Sequence, residues 1–125
     1  ENGIHELAYK FKEQIKSSDG IIISFAEHNG AYSVAFKNIF DWVSRFGGDV
    51  WEGRPMLLLA TAPGSHGGKT VLDIALKRFS RRNKNTIVTF SLPSFKANFS
   101  DKDGIADDQL RSEFAQQLEK YSHSL

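Results

Sequence analysis

The 125 residues predict a doubly wound α/β domain. Three observations carry that expectation. Apolar runs of strand length alternate with segments of helical period. The strand starts fall roughly 30 to 35 residues apart, the length of a βαβ unit. The first two runs are apolar throughout rather than alternating, as in parallel strands covered on both faces.

Taken in order, a helix is predicted from about Ile4 to Ser18, with Ile4, Leu7, Ala8, Phe11 and Ile15 on one face and Lys, Glu and Gln on the other. Ser17-Ser18-Asp19-Gly20 breaks it, and Ile21-Ile22-Ile23-Ser24-Phe25 reads as a strand buried on both faces. A polar loop, Glu27-His28-Asn29-Gly30, leads to a helix from about Tyr32 to Phe46, ended by Gly47-Gly48. Met56 to Ala62 is a second buried strand, and Pro63 to Gly68 is the loop after it. A helix follows from about Lys69 to Arg81, with Leu72, Ala75, Leu76 and Phe79 as its stripe, and Thr86 to Ser91 is a third strand. A polar stretch from Pro93 to Gly104 precedes a last helix, with Asp107 as N-cap and Leu110, Phe114, Leu118 and Tyr121 as its apolar face. The tail from Ser122 is expected to fray.

Composition narrows the function classes. With 40% hydrophobic and 25% charged residues the chain is neither disordered nor a low-complexity repeat, and its length suffices for a core without staples. The absence of cysteine removes disulfides, thiolate metal sites and cysteine nucleophiles, and fits a cytoplasmic location. A formal charge of +1 gives no electrostatic reason for a nucleic-acid partner, and no apolar run is long enough to span a membrane. Four helices for three strands, and an opening on a helix with no strand before it, point to sheet missing upstream. The start at Glu1-Asn2-Gly3, with Met56 as the lone methionine, points the same way.

Ligands of open parallel sheets sit beyond the carboxyl ends of the strands, next to helix N-termini. Two loops qualify: Ala26 to Gly30, and Pro63 to Gly68, where Gly64, Gly67 and Gly68 would let backbone approach a flat or anionic group. The alternative is that these glycines only make a strand-to-helix turn. Gly64-Ser65-His66-Gly67-Gly68-Lys69-Thr70 imitates a phosphate loop but is one residue short, and no downstream strand ends in a magnesium-binding Asp. A nucleotide-phosphate site therefore carries little weight. His5, His28, His66 and His123 form no metal-ligand spacing, so no metal site is expected. Adjacent Glu27 and His28 point apart, which argues against a catalytic dyad, and no G-x-S-x-G elbow is present. The cluster Lys77, Arg78, Arg81, Arg82 and Lys84 falls at a helix C-terminus, where cations complement the helix dipole. Phe36, Phe40, Trp42, Phe46 and Trp51 exceed what one helix stripe needs, which suggests burial against a second copy.

The strand Ile21 to Phe25, the loop Ala26-Glu27-His28-Asn29-Gly30, and the string Phe36-Lys37-Asn38-Ile39-Phe40-Asp41-Trp42-Val43-Ser44-Arg45 together resemble the NADPH-dependent FMN reductase family. The matching family elements are a strand, a P-E-Y-N-G loop and an L-K-N-x-x-D-W-x-S-R helix. The loop Gly64-x-x-Gly67-Gly68 after Arg54-Pro55-Met56 is similar to that family's second flavin-contacting loop. The resemblance implies a flavodoxin-like fold, of which residues 1–125 would be the C-terminal two-thirds of one domain. It further implies FMN bordered by Ala26, Glu27, His28, Asn29 and Gly30 on one side and by Gly64, Gly67 and Gly68 on the other. Electrons would pass from NADPH through FMN to a quinone, azo or flavin acceptor, with no side chain as catalyst, in a homodimer or tetramer.

Two departures stand out. Ala26 replaces the family's usual Pro and His28 its Tyr, and the family's N-terminal strand with the phosphate-holding loop, its helix and its second strand are not in these residues. One further βαβ unit of about 50 residues would supply them. In the order 2-1-3-4-5 the strands present would be the last three, with an open edge at Ile21 to Phe25 and, if the residues stand alone, weakened FMN binding. The alternative function is a non-catalytic flavodoxin-like module or fragment acting in self-association.

Overall fold

A computed structural model describes residues 3–125; Glu1 and Asn2, the start of the expected domain, lie outside the described residues. The four long helices are α1 (Glu6–Ser17), α2 (Val34–Ser44), α3 (Lys69–Phe79) and α5 (Asp108–His123). The principal strands are β1 (Ile21–Phe25), β4 (Met56–Thr61) and β5 (Ile87–Leu92), which form one parallel sheet in the order β1-β4-β5. Two-residue strands complete the list: β2 (Glu27–His28) with β3 (Ala31–Tyr32), and β6 (Phe99–Ser100) with β7 (Gly104–Ile105), the latter pair preceded by the short α4 (Phe95–Asn98).

Register follows the alternation of side chains along each strand. Ile21, Ile22, Ile23, Ser24 and Phe25 lie opposite Met56, Leu57, Leu58, Leu59 and Ala60, which in turn face Ile87 through Ser91. Met56, Leu58 and Ala60 turn to the core shared with α1, α2 and α3, where Ile15, Phe40, Val71, Leu72, Ala75 and Phe79 meet them. The other face is covered by α5, whose Phe114 ring lies 5.2 Å from that of Phe90. Asp107 caps α5 as expected, its Oδ1 accepting the Leu110 N–H at 2.8 Å.

β1 corrects the expectation of a strand buried on both faces. Ile22 is 55% exposed and Ser24 is also exposed, because α5 covers β4 and β5 and stops short of β1. The edge of β1 away from β4 carries no strand among the described residues. An apolar groove of about 420 Å³ runs beside it, lined by residues including Phe11, Ile15, Ile21, Ile23 and Trp51. The polar loop at Glu27 to Gly30 is in fact a β-hairpin: Asn29 and Gly30 both adopt positive φ, +53° and +76°, the pattern of a type I′ turn. The last helix also continues past Ser122, where the tail was expected to begin. The helix runs to His123, and Leu125 and Tyr121 close over Gly20, where a Cβ would collide with both.

The aromatic residues are accounted for mostly inside one chain. Phe36, Phe40 and Trp51 stack nearly parallel, at 5.9 Å and 8° for Phe40 and Trp51, with Phe79 against Trp51 at 4.8 Å. Phe46 packs on Tyr9, and Trp42 is half-buried between His5 and Arg45.

Helix α1 departs from its expected faces. Leu7 is 60% exposed, whereas Lys12, assigned by its charge to the outer face, is 5% exposed. Its Nζ donates to the carbonyls of Asp49 and Val50 at 3.0 and 2.9 Å and lies 2.7 Å from Glu52 Oε1. A buried ammonium persists only when its donors are matched in this way. The Lys12 bond and the nearby cations hold the Glu52 carboxyl below its ordinary value of 4.5. Substituting Lys12→Met is expected to lower stability by about 2 kcal/mol, since two carbonyls lose their donor. Because Glu52 is depressed in the folded state, its contribution is present above the ordinary carboxylate range and is lost as pH falls through the folded value. Urea unfolding should therefore show the difference between wild type and Glu52→Gln at neutral pH and its disappearance in strong acid.

Candidate functional site

The two loops singled out in the sequence meet at one end of the sheet. Phe25 and Ala60 are register partners, so Ala26 and Thr61 leave neighbouring parallel strands side by side. A third segment joins them. The Ser94 and Phe95 N–H groups donate to the Gly64 and Ala62 carbonyls at 2.9 and 3.0 Å, and the Ser91 hydroxyl donates to the Gly67 carbonyl at 2.8 Å. The stretch after Pro93, expected only as a polar linker, is thus part of this edge, and its Phe95 and Phe99 rings stack 5.1 Å apart. They border an apolar groove of about 510 Å³ that also includes Ser24, Leu59, Thr61 and Phe114. The sequence signal for these residues was the pair of aromatics within a polar run.

The eight expected cofactor-contacting residues divide into different roles. Glu27 turns toward α3: its Oε1 accepts the Val71 N–H at 2.7 Å. The N-cap position of α3 is Gly68, whose φ of +74° and lack of a side chain leave the helix without a cap of its own. The Glu27 carboxylate supplies the missing cap from 44 residues away, an interaction of about 1 to 2 kcal/mol for a charge at a helix N-terminus. His28 points the other way and is exposed, so the two residues form no dyad. Ala26, Asn29 and Gly30 are exposed, and a Cβ on Gly30 would meet no atom within 4 Å.

The glycines of the second loop separate in the same manner. Gly67 has φ +64° and packs so that a Cβ would strike Ser91 Oγ and press on the Pro93 backbone at 3.0 Å. Gly68 has φ +74°, and a Cβ there would lie 2.7 Å from the Ala60 methyl. Both are required by the strand-to-helix turn itself. Gly64 has open space at its Cβ position and no positive φ, so the open backbone face of this loop centres on Gly64. His66 bonds Thr70 Oγ1 at 2.8 Å within the loop. The Tyr32 hydroxyl, buried beneath the hairpin, has no partner among the described residues, and burial raises its pKa against the opposing pull of Arg78. Arg78 apart, the basic cluster sits away from the loops, with Lys77 and Arg78 in the last turn of α3 and Lys84 donating to the Ser80 carbonyl.

Gly67→Ala is expected to destabilise by about 3 kcal/mol, combining left-handed backbone with overpacking. Gly64→Ala should stay within about 0.5 kcal/mol of wild type. Thermal unfolding of the two variants side by side checks both figures.

The sequence model described as NADPH-dependent FMN reductase matches residues 1–97. A 2-hydroxy-1,4-benzoquinone reductase from a Burkholderia species is 40% identical over 63 residues, which is 50% of this chain and 34% of the relative. A quinone reductase from Pseudomonas putida is 35% identical over 60 residues, 47% of this chain and 32% of its own. The matched segments thus span about a third of the length of these curated relatives. Among solved structures, FerB, a flavoenzyme NAD(P)H:(acceptor) oxidoreductase from Paracoccus denitrificans, superposes with a TM-score of 0.70 over 96% of this chain and 70% of that chain, at 20% identity. The fold is flavodoxin-like, and the chain belongs to the NADPH-dependent FMN reductase family.

Proposed function

We propose that the strand ends of this chain form the ring-binding side of an FMN-dependent NAD(P)H oxidoreductase that reduces a small acceptor such as a quinone, an azo compound or free flavin. The observation that carries the reading is the joining of two open loops on neighbouring parallel strands, tied by Glu27 and Val71, in a chain of this family. The residues suit a flat ring: Gly30 at the hairpin tip and Gly64 in the second loop present backbone without obstruction. The apolar groove with Phe95 and Phe99 adjoins them. Bound FMN would supply hydride acceptance from the nicotinamide and electron delivery to the acceptor. The chain's own part is positional. Backbone at Ala26 to Gly30 and at Gly64 offers hydrogen-bonding groups to the ring edge, and the aromatic rings keep water from one side. His28 stands where the family usually has Tyr and brings an imidazole to the same edge.

Self-association is a second reading, supported by Val34, 85% exposed on α2, and by the uncovered apolar side of β1 at Ile22. Native mass with and without FMN separates the two. A species that dimerises but never binds flavin favours the non-catalytic module, and a flavin-binding monomer counts against it.

The primary test is FMN titration followed by flavin fluorescence, with NADPH consumption measured in the presence of a quinone. Retained flavin and quinone-dependent oxidation are expected. A full-length protein that neither retains FMN nor consumes NADPH overturns the reading. Gly64→Val should weaken FMN binding about tenfold through obstruction, while leaving stability within about 0.5 kcal/mol.

A further inference from the structure

We propose that Glu27 is a positioning residue: its carboxylate takes the place of an anion at the N-terminus of α3 and so clamps the β2–β3 hairpin to the glycine loop.

The first turn of α3 has no acidic residue, and its N-cap position is a glycine in left-handed conformation. Such a turn, following a glycine-rich loop, ordinarily leaves N–H groups free for a phosphate. Here the Val71 N–H is already donated to Glu27 Oε1 at 2.7 Å, the Lys69 N–H goes to the His66 carbonyl, and the His66 ring bonds Thr70 Oγ1. A carboxylate therefore occupies the place of an anionic ligand. A phosphate arriving there would have to displace it and would face its negative charge. Among the described residues this is the one side-chain hydrogen bond between the hairpin and the segment from Thr61 to Leu72, and it adds a direct tie to the placement that the pairing of β1 with β4 sets. Glu27 lies on β2 opposite Tyr32, whose ring packs on Phe25 and Phe36, so the carboxylate is aimed by an element seated on the core.

The flavin arm of the test rests on the function proposed above, whereas the clamp does not. In flavin-free protein, Glu27→Ala should lower the unfolding temperature and speed amide exchange at Val71. Formate or phosphate, added at constant ionic strength, should restore both, with no such response in wild type. Glu27→Gln retains an acceptor oxygen and should keep Val71 protected. In the flavin arm, Glu27→Ala should weaken riboflavin and FMN equally, by about tenfold, because what is lost is placement of the ring. Unchanged Val71 exchange in Glu27→Ala, or a lowered unfolding temperature that no anion restores, overturns the clamp. A loss confined to FMN and spared in riboflavin overturns the role of Glu27 in placing the ring. Failure of wild type to bind either flavin removes the proposed function and leaves the anion-rescue result standing.

Discussion

Strand β4 is the member on which both layers of the molecule rest. Met56, Leu57, Leu58 and Ala60 are almost wholly removed from water, with β1 and β5 on its two sides, α2 and α3 toward one face and α5 toward the other. At about 25 cal/mol per Å² of apolar surface buried, side chains of this size contribute roughly 1.5 to 3 kcal/mol each. No other strand has that arrangement. β5 is covered but lies at an edge, and β1 is covered on one face only. Because β4 cannot shift register without moving its apolar set to the wrong layer, it also fixes where Thr61 and Ala26 emerge, and hence where the two loops meet.

The sequence disclosed this plan where a stretch of chain had a single physical solution. Met56 to Ala62 has no polar residue before Thr61, so nothing competes with a buried strand, and the helices α2 and α3 follow from apolar spacing alone. It disclosed less where the outcome depends on distant partners. Nothing local to Lys12 indicates burial; its partners are carbonyls at Asp49 and Val50 and a carboxylate at Glu52, all brought close only after α1 packs. Ile22 reads as core because it is an isoleucine in an isoleucine run, and only the extent of α5 shows that its face is open. The hairpin at Asn29-Gly30 did have a local signal, since that dipeptide between short extended segments specifies a type I′ turn.

The site shows the same division. That the loops after β1 and β4 would meet at one end of the sheet was legible from strand order. The roles within those loops were not, because a glycine needed for a turn and a glycine needed for access are identical in a string of letters. Gly67 and Gly68 belong to the first kind through Ser91, Pro93 and Ala60, all outside their own loop. Glu27 likewise looks like a surface acid of a polar loop until α3 is in place. The third segment, from Pro93 to Asn98, was hidden because its link to the glycine loop is made by backbone groups, which carry no sequence identity.

The bond between Glu27 and Val71 has a bearing on assembly order. It encloses α2 and β4 in a loop of 44 residues, whose closure entropy exceeds that of any single hairpin or helical turn in the chain. Its two ends come within reach only once β1 has paired with β4 and α3 has wound past its first turn. The end of the sheet that carries these loops is accordingly the last part of this region to take shape during folding. By the same account it is the part that can open at the smallest expense to the core beneath it.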